Sequence, residues 1–437
     1  MNKLLFKHID NSALIIFRVV FGLLCFLESV GAIFTGWVKK TLIDPQVTFN
    51  FIGFSGLQPL PGYGMYVYYL IMGGFALMVM LGYKYRLAII SFTLLWAGSY
   101  FMQKASYNNH YYLLILLSAL MALQPANAYW SIDVKTNPSI KRISMPQWCK
   151  WVFIWQMFIV YTYASLAKIY PDWLDTTVME LLMRGKKHYF LAGDILQNKT
   201  LRYILSYGGI LFDGLIIPLL FFKSTRKLAL ILSIFFHLFN SFVFQVGIFP
   251  YLSLAFILFF YDPKIIQKLF LKIKPFYSLN EVKVPGYRTP FLVILSVYFI
   301  IQILLPLRHH FIKDDVLWTE EGHRLSWRMM LRSKQGIATY KVTDKATQNT
   351  TRINVLDYLT KKQSRLAATK PDVIWQFAQR LKKEYIQKGQ DISVFVDCKV
   401  RVNGHKFKRL INPSVDLAEV EWQTFKHAKW ILPSKQD

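Results

Sequence analysis

The chain has 437 residues, of which 54% are hydrophobic and only 18% charged, against about a quarter charged in an ordinary soluble domain. Its 52 Lys and Arg against 25 Asp and Glu give a formal net charge of +27. The bases lie mostly between long apolar runs, not as a stripe on a polar surface, so the balance argues against nucleic acid as a partner. This composition excludes an ordinary soluble enzyme and a disordered chain.

Nine apolar segments approach the roughly 20 residues that cross a bilayer. They are 12–35, 64–82, 86–103, 108–124, 149–169, 202–222, 227–246, 249–261 and 289–307. The first is longer than a signal-peptide core and no small-residue cleavage site follows it, so it reads as an anchor. The eighth is short, and Gly247 and Pro250 break the chain at its start. It forms either a tight helical hairpin with its neighbour or a re-entrant pair. With the N-terminus inside, the inner segments before residue 308 carry 17 Lys and Arg and the outer loops 8. That bias puts residue 308 onward outside.

Residues 308–437 are denser in charge and alternate in hydrophobicity. Ile392 to Val402 and Ala338 to Thr343 read as strands, and Asn403-Gly404 is a two-residue hairpin turn. Ile374, Phe377, Leu381 and Tyr385 share one face of a helix over 371–388. The expected fold is an α-helical multi-pass membrane protein of about nine spans, residues 1–307, with a C-terminal extramembrane α+β domain, residues 308–437. The distant Cys25, Cys149 and Cys398 offer no metal-type spacing and no disulfide framework.

Ionisable groups inside a membrane are costly and mark function or a paired structural role. Arg18 reads as structural, pairing an acid or a lipid phosphate. Glu28 lies ten residues on, not on an adjacent turn. Asp213 reads equally as a packing partner or a site residue. His237 and Asn240 share a helix face. Lys168, near the end of its span, reads equally as a snorkelling cation or a site base. His110 and Lys168 both map to the outer ends of their spans, on the side of the extramembrane domain. That shared edge suits chemistry on a lipid-soluble acid such as a hydroquinone, because a desolvated neutral amine is a competent general base. No nucleophile triad, phosphate loop or metal site is apparent.

At these residues the sequence resembles the vitamin K-dependent γ-glutamyl carboxylases. The likeness runs in order along most of the chain. It includes Phe17-Arg-Val-Val-Phe-Gly22, Asn108-Asn-His-Tyr111, Ala164-Ser-Leu-Ala-Lys-Ile-Tyr-Pro-Asp-Trp173 and the block from Phe236 to Tyr251. Leu325-Ser-Trp-Arg-Met-Met330, Gln363-Ser-Arg365 and Ile411-Asn-Pro-Ser-Val-Asp-Leu417 follow in the outer domain. The resemblance implies coupled chemistry, with reduced vitamin K (menaquinol is a possible form) oxygenated by O2 to its epoxide while a protein glutamate gains CO2 to become γ-carboxyglutamate. It implies Lys168 as the base toward the hydroquinone, with His110 as a second catalytic residue. Asn109, His237 and Asn240 fall to the quinol pocket, and Arg365 to the glutamyl substrate. The implied partners are a glutamate-containing protein or peptide, the membrane quinol and the lipid bilayer.

The chain departs from the animal enzymes in ending soon after Asn412-Pro413 and in having Ala167-Lys168 where they have two lysines. Recognition of a client propeptide is therefore expected to differ. A short member of this kind resembles a bacterial homologue. That places it in the inner membrane with the outer domain periplasmic, or in the endoplasmic reticulum membrane with that domain lumenal if eukaryotic. Two rival functions use the same residues. One is quinol epoxidation without carboxylation. The other is non-catalytic binding of a quinone or lipid, against which the intact Lys168 and His110 argue.

Overall fold

The computed structural model describes residues 2–190 and 192–435. A helix stands at each of the nine apolar segments. These are α1 (Ser12–Phe34), α2 (Gly64–Leu81), α3 (Tyr85–Met102), α4 (Asn109–Ala122), α5 (Trp148–Leu166), α6 (Lys199–Phe221), α7 (Arg226–Phe239), α8 (Phe249–Phe256) and α9 (Arg288–Leu307). Five helical stretches are long and apolar enough to cross a membrane: Ser12–Phe34, Gly64–Leu81, Lys199–Phe221, Arg226–Phe244 and Arg288–Phe311. Asn109–Ala122 and Phe249–Phe260 are apolar but shorter. α3 and α5 are of similar length to α2 but richer in Trp and Ser. The nine-span count goes beyond these five.

α6, α7 and α9 turn large apolar side chains outward, among them Leu211, Phe235 and Ile294. Water would penalise such a surface and lipid does not. This is a membrane protein. α7 widens into a π-turn at Asn240–Phe244. The chain then reverses into α8 through Gln245 and Gly247, both left-handed (φ 53° and 70°).

The buried charges inside the bundle are largely met by polar partners, though Arg18 Nε is buried unbonded. Arg18 donates to the carbonyls of Ala126 and Trp130 (3.4 and 2.6 Å), so its hydrogen bonds go to backbone rather than to an acid or a lipid phosphate. Glu28 accepts from the Tyr111 hydroxyl at 2.5 Å. Two short strands, β1 (His8–Asp10) and β2 (Ser144–Pro146), pair antiparallel, and Asp10 pairs with the buried Lys274 at 2.7 Å.

The C-terminal region is a four-stranded antiparallel sheet of order β4-β3-β5-β6. Its strands are β3 (Lys334–Asp344), β4 (Thr350–Ile353), β5 (Ile392–Val402) and β6 (Lys408–Arg409). Asn403 and Gly404 both have positive φ (50° and 79°), and His405 N–H closes the turn on Val402 O at 3.0 Å, as the hairpin signal requires. Two helices cover this region, α10 (Lys361–Leu366) and α11 (Pro371–Gln387). Ile374, Phe377 and Leu381 of α11 are buried in one core with Val394, Val396 and Val400 of β5.

That core also takes in Val47, Phe49 and Ala105 from loops of the helical bundle. The Gln363 side chain donates to Val47 O at 2.6 Å and Gln376 to Asn50 O at 3.0 Å. In return Trp327 joins the core of the bundle and stacks on Tyr112 at 5.1 Å. The segment around Trp327 thus leaves the outer region and lies against the helices. Within it Leu325, Trp327 and Met330 all have positive φ (58°, 56° and 54°). Non-glycine residues in this conformation cost about 1–3 kcal/mol each and persist only where the surroundings dictate them.

Candidate active site

Lys168 follows the last turn of α5, its N–H bonded to Ser165 O at 3.0 Å. Ser165 Oγ in turn donates to Ile210 O at 2.9 Å, which draws α5 against α6. The Lys168 ammonium meets the Asp213 carboxylate of α6 in a buried ion pair. It also lies 5.7 Å from the centroid of Trp173, whose indole N–H is fixed on Ser206 O at 3.0 Å. The sequence pointed to a lone amine. The structure gives a pair, and a buried pair holds and exchanges protons as a unit.

His110 lies in the first turn of α4, where the Asn108 side chain caps the helix by accepting from His110 N–H at 2.8 Å. Its ring stacks on Phe249 of α8, with centroids 4.1 Å apart and planes 11° apart. Its Nδ1 is buried without a partner. Asn109 accepts from the Tyr107 hydroxyl at 2.5 Å and donates to Arg328 O at 3.1 Å. The same Tyr107 hydroxyl accepts from Leu325 N–H at 2.7 Å. Asn109 and Tyr107 therefore clamp the strained 325–330 segment. His237 is buried, with Nε2 3.1 Å from the Tyr161 hydroxyl, and sits edge-on to Phe249. Asn240 donates to Phe236 O at 2.9 Å.

Two cavities meet here. One, of about 440 Å³, is overwhelmingly apolar and contains Lys168, Asp213, His110 and Asn240 as its polar groups with Tyr161. Ile204, Leu211 and Phe235 line it and are themselves 60%, 59% and 70% exposed on the lipid-facing surface, so it opens between α6 and α7 toward the bilayer. The other, of about 430 Å³, is polar and basic, lined by Lys104, Arg324, Arg328, Arg332 and Lys370 with Glu320 and His323. His110, Phe244, Val246, Met329 and Met330 line both. The wall between the cavities is apolar except for one imidazole.

Two buried carboxylates anchor the basic cavity. Glu320 accepts from Arg332 Nε at 2.6 Å and pairs with Lys370 at 2.8 Å and Lys334 at 3.7 Å. Asp372 binds Lys104 and Arg324, each at 2.5 Å. Burial alone would raise both carboxyls, but the cations around them hold both below the usual range. Burial pushes Lys104 and Lys334 down to about 8. Lys370 falls well below its ordinary value through burial and the neighbouring Arg332.

The sequence-predicted residues thus divide. Lys168, His110 and Asn240 line the apolar cavity. His237 stands behind it on Tyr161 and Phe249, and Asn109 braces the other cavity's Arg328 segment. Arg365 is exposed on α10 and lines neither cavity, though its neighbour Leu366 lines the basic one. The cations at 324, 328 and 332 and Lys370 were not singled out. Their signal was present, since Arg328 sits inside the Leu325–Met330 block with a base four residues to either side. Among the described residues no cluster of His, Cys, Asp or Glu has metal-site geometry, and all three cysteines are free.

The model of the HTTM domain matches residues 6–264, and that of the vitamin K-dependent gamma-carboxylase lumenal domain matches residues 287–437. The chain belongs to the vitamin K-dependent γ-carboxylase family. No solved structure matches it. The family implies use of vitamin K hydroquinone and of glutamate-containing protein substrates. The apolar cavity fits a quinol with a hydrocarbon tail, because its lining is apolar but for a few polar groups, Lys168 and Asp213 paired among them, and its mouth is open to lipid. The matched segments meet at the site, with Lys168 and His110 in the first and Arg324, Arg328 and Lys370 in the second.

Proposed function

We propose that this γ-carboxylase relative couples oxygenation of a membrane hydroquinone to its epoxide with carboxylation of a client glutamate by CO2. Two cavities of opposite character sharing one wall at His110 are the observation that carries this reading. Reduced vitamin K, or menaquinol as a bacterial form, would bind in the apolar cavity and supply the driving force for removing the γ-proton. The Lys168–Asp213 pair receives the hydroquinone proton. Even as an ammonium and a carboxylate it has room for one more proton, on Asp213.

His237 with Tyr161, and Asn240, orient the polar end of the cavity. His110 at the shared wall touches both substrates. The client glutamate enters the basic cavity, where Arg324, Arg328 and Lys370 hold its carboxylate. They also stabilise the second negative charge that develops when a proton leaves the carbon next to it. Preorganised cations in a site shielded from water are effective at this. Arg365, on the outer rim of α10, is then a contact for the remainder of the client peptide.

The positive-inside bias supports nine spans with the N-terminus in. The division at 307/308 leaves the 308–437 domain outside the bacterial inner membrane, facing the periplasm. The test is epoxide formation and labelled CO2 incorporation by the protein in nanodiscs, supplied with reduced vitamin K, O2 and a Glu-rich peptide. Both products, and loss of both in Lys168→Ala, are expected. Epoxide without label would leave a quinol epoxidase, and neither product from folded protein would refute the reading.

A further inference from the structure

Six cations, Lys104, Arg324, Arg328, Arg332, Lys334 and Lys370, crowd the basic cavity and its back wall, against two carboxylates, Glu320 and Asp372. Asp315 adds a third carboxylate farther off, felt by Arg328 and Lys334. With all six cations charged, a surplus of about three positive charges would stand in a largely buried site, a load that burial relieves in part by lowering Lys104, Lys334 and Lys370. One glutamyl carboxylate would leave most of it uncompensated, and unpaired buried charge is expensive.

Two groups face the cavity without partners. Arg328 has no carboxylate in salt-bridge range among the described residues; its Nη1 reaches only His309 at 3.2 Å, and its Nε is buried unbonded. His323 is 94% buried with Nδ1 unbonded. We propose that the cavity is built for a dianionic side chain, and that it therefore holds a γ-carboxyglutamyl (malonate-type) residue more tightly than the glutamyl residue it came from. The inference rests on the glutamyl reading of this cavity. Its consequence is kinetic, because departure of each carboxylated residue from the cavity becomes a slow step.

Geometry makes the preference specific. Arg328 and Arg332 leave the chain four residues apart, either side of the shared wall residues Met329 and Met330, and Lys370, just before α11, joins Arg332 on Glu320. A malonate-type group presents two carboxylates from one carbon and can engage the unpaired Arg328 and a second cation together, whereas a glutamate offers one carboxylate. Entry of the second charge also recharges Lys104 and Lys334, which burial has pushed down to about 8. Product binding near that pH takes up protons.

The experiment uses the full chain in nanodiscs without quinol, titrated calorimetrically with one short peptide carrying either Glu or γ-carboxyglutamate at a single position. The γ-carboxyglutamyl peptide is expected to bind about tenfold tighter or more, the effect of an added charge-assisted hydrogen bond. Comparing buffers of different ionisation heat at pH 8 should show net proton uptake. Arg328→Gln should weaken both peptides but the γ-carboxyglutamyl peptide far more, so that most of the ratio is lost. Lys370→Met provides a second variant should the first fail to fold. Equal affinity for the two peptides would overturn the inference and leave the glutamyl reading intact. Binding of neither would overturn both.

Discussion

Lys168 and Asp213, 45 residues apart in sequence, form a buried ion pair between the end of α5 and the middle of α6 that lines an apolar, lipid-facing cavity. Neither member is tolerable there alone. Removing one partner of a buried pair leaves an uncompensated charge and costs about 3–5 kcal/mol, whereas replacing both with apolar residues of similar size is often neutral.

That asymmetry separates fold from chemistry. Lys168→Met and Asp213→Leu should each destabilise by about 3–5 kcal/mol, and the double variant should recover most of that loss. Epoxide formation should stay absent in all three. Asp213→Asn, which keeps the shape but removes the proton acceptor, should lower the epoxidation rate about 10²-fold or more while quinol binding persists. Full activity in Asp213→Asn would reduce Asp213 to a packing partner.

Arg328 is presented to the basic cavity by a strained segment that Asn109 holds through Arg328 O. Arg328→Gln should raise KM for a Glu-rich peptide, while epoxidation without peptide continues. Asn109→Ala should act in the same direction by loosening the clamp. It leaves Arg328 O without its buried donor, at a cost of about 1–3 kcal/mol. Steady-state kinetics with and without peptide distinguish these outcomes from a defect in quinol handling, which would lower both activities together.

Much of this was legible in the sequence because hydrophobic length and local turn chemistry are one-dimensional signals. The nine helices fall within a few residues of the apolar segments, and Asn403-Gly404 forms its hairpin as expected. Asp213 stayed ambiguous because its partner comes from another helix. Arg18 pointed to an acid or a lipid phosphate, but its hydrogen bonds go to carbonyls of a loop more than a hundred residues on. The basic cavity was the largest omission. Its cations come from positions 104, 324–332 and 370, and only folding brings the loop after α3 against α11. Arg365 drew attention through its motif, yet the helix that carries it turns that side chain to solvent.

The same cations give the site a pH dependence with two signs. Lys104 and Lys334 are pushed down to about 8 by burial from an ordinary 10.5. Below that pH both are charged in the folded protein, and anion affinity is high. As pH rises through about 8 they lose protons and affinity for a Glu peptide should fall. Fold stability should move the other way. Between about 8 and 10.5 the unfolded chain binds protons that the folded chain has released, so stability rises with pH. On the acid side the depressed carboxyls Glu320 and Asp372 stabilise the fold above their ordinary values of 4.5 and 3.8, and that contribution is lost as pH falls through their lower folded values. Peptide titrations and thermal unfolding at pH 7 to 10 would show both trends. An affinity unchanged from pH 7 to 9.5 would contradict the first.

Gly22, which closes the Phe17–Gly22 block of α1, tests how far the bundle sets the site. A Cβ there would stand 2.4 Å from Met80 N and 2.6 Å from Met80 Cα on α2, and backbone cannot yield as a flexible side chain does. Gly22→Ala should therefore force α1 and α2 apart at a cost of about 1–3 kcal/mol. α1 also carries Glu28, which holds the Tyr111 hydroxyl beside His110, so the displacement should lower epoxidation as well as the unfolding temperature. Gly74, on α2, is the control, since nothing lies within 4 Å of its added Cβ. Gly74→Ala should be neutral or stabilise by up to about 1 kcal/mol through helix propensity. Thermal unfolding and epoxide assays on the two variants side by side check the contrast, and equal behaviour would show that the α1–α2 contact does not position His110.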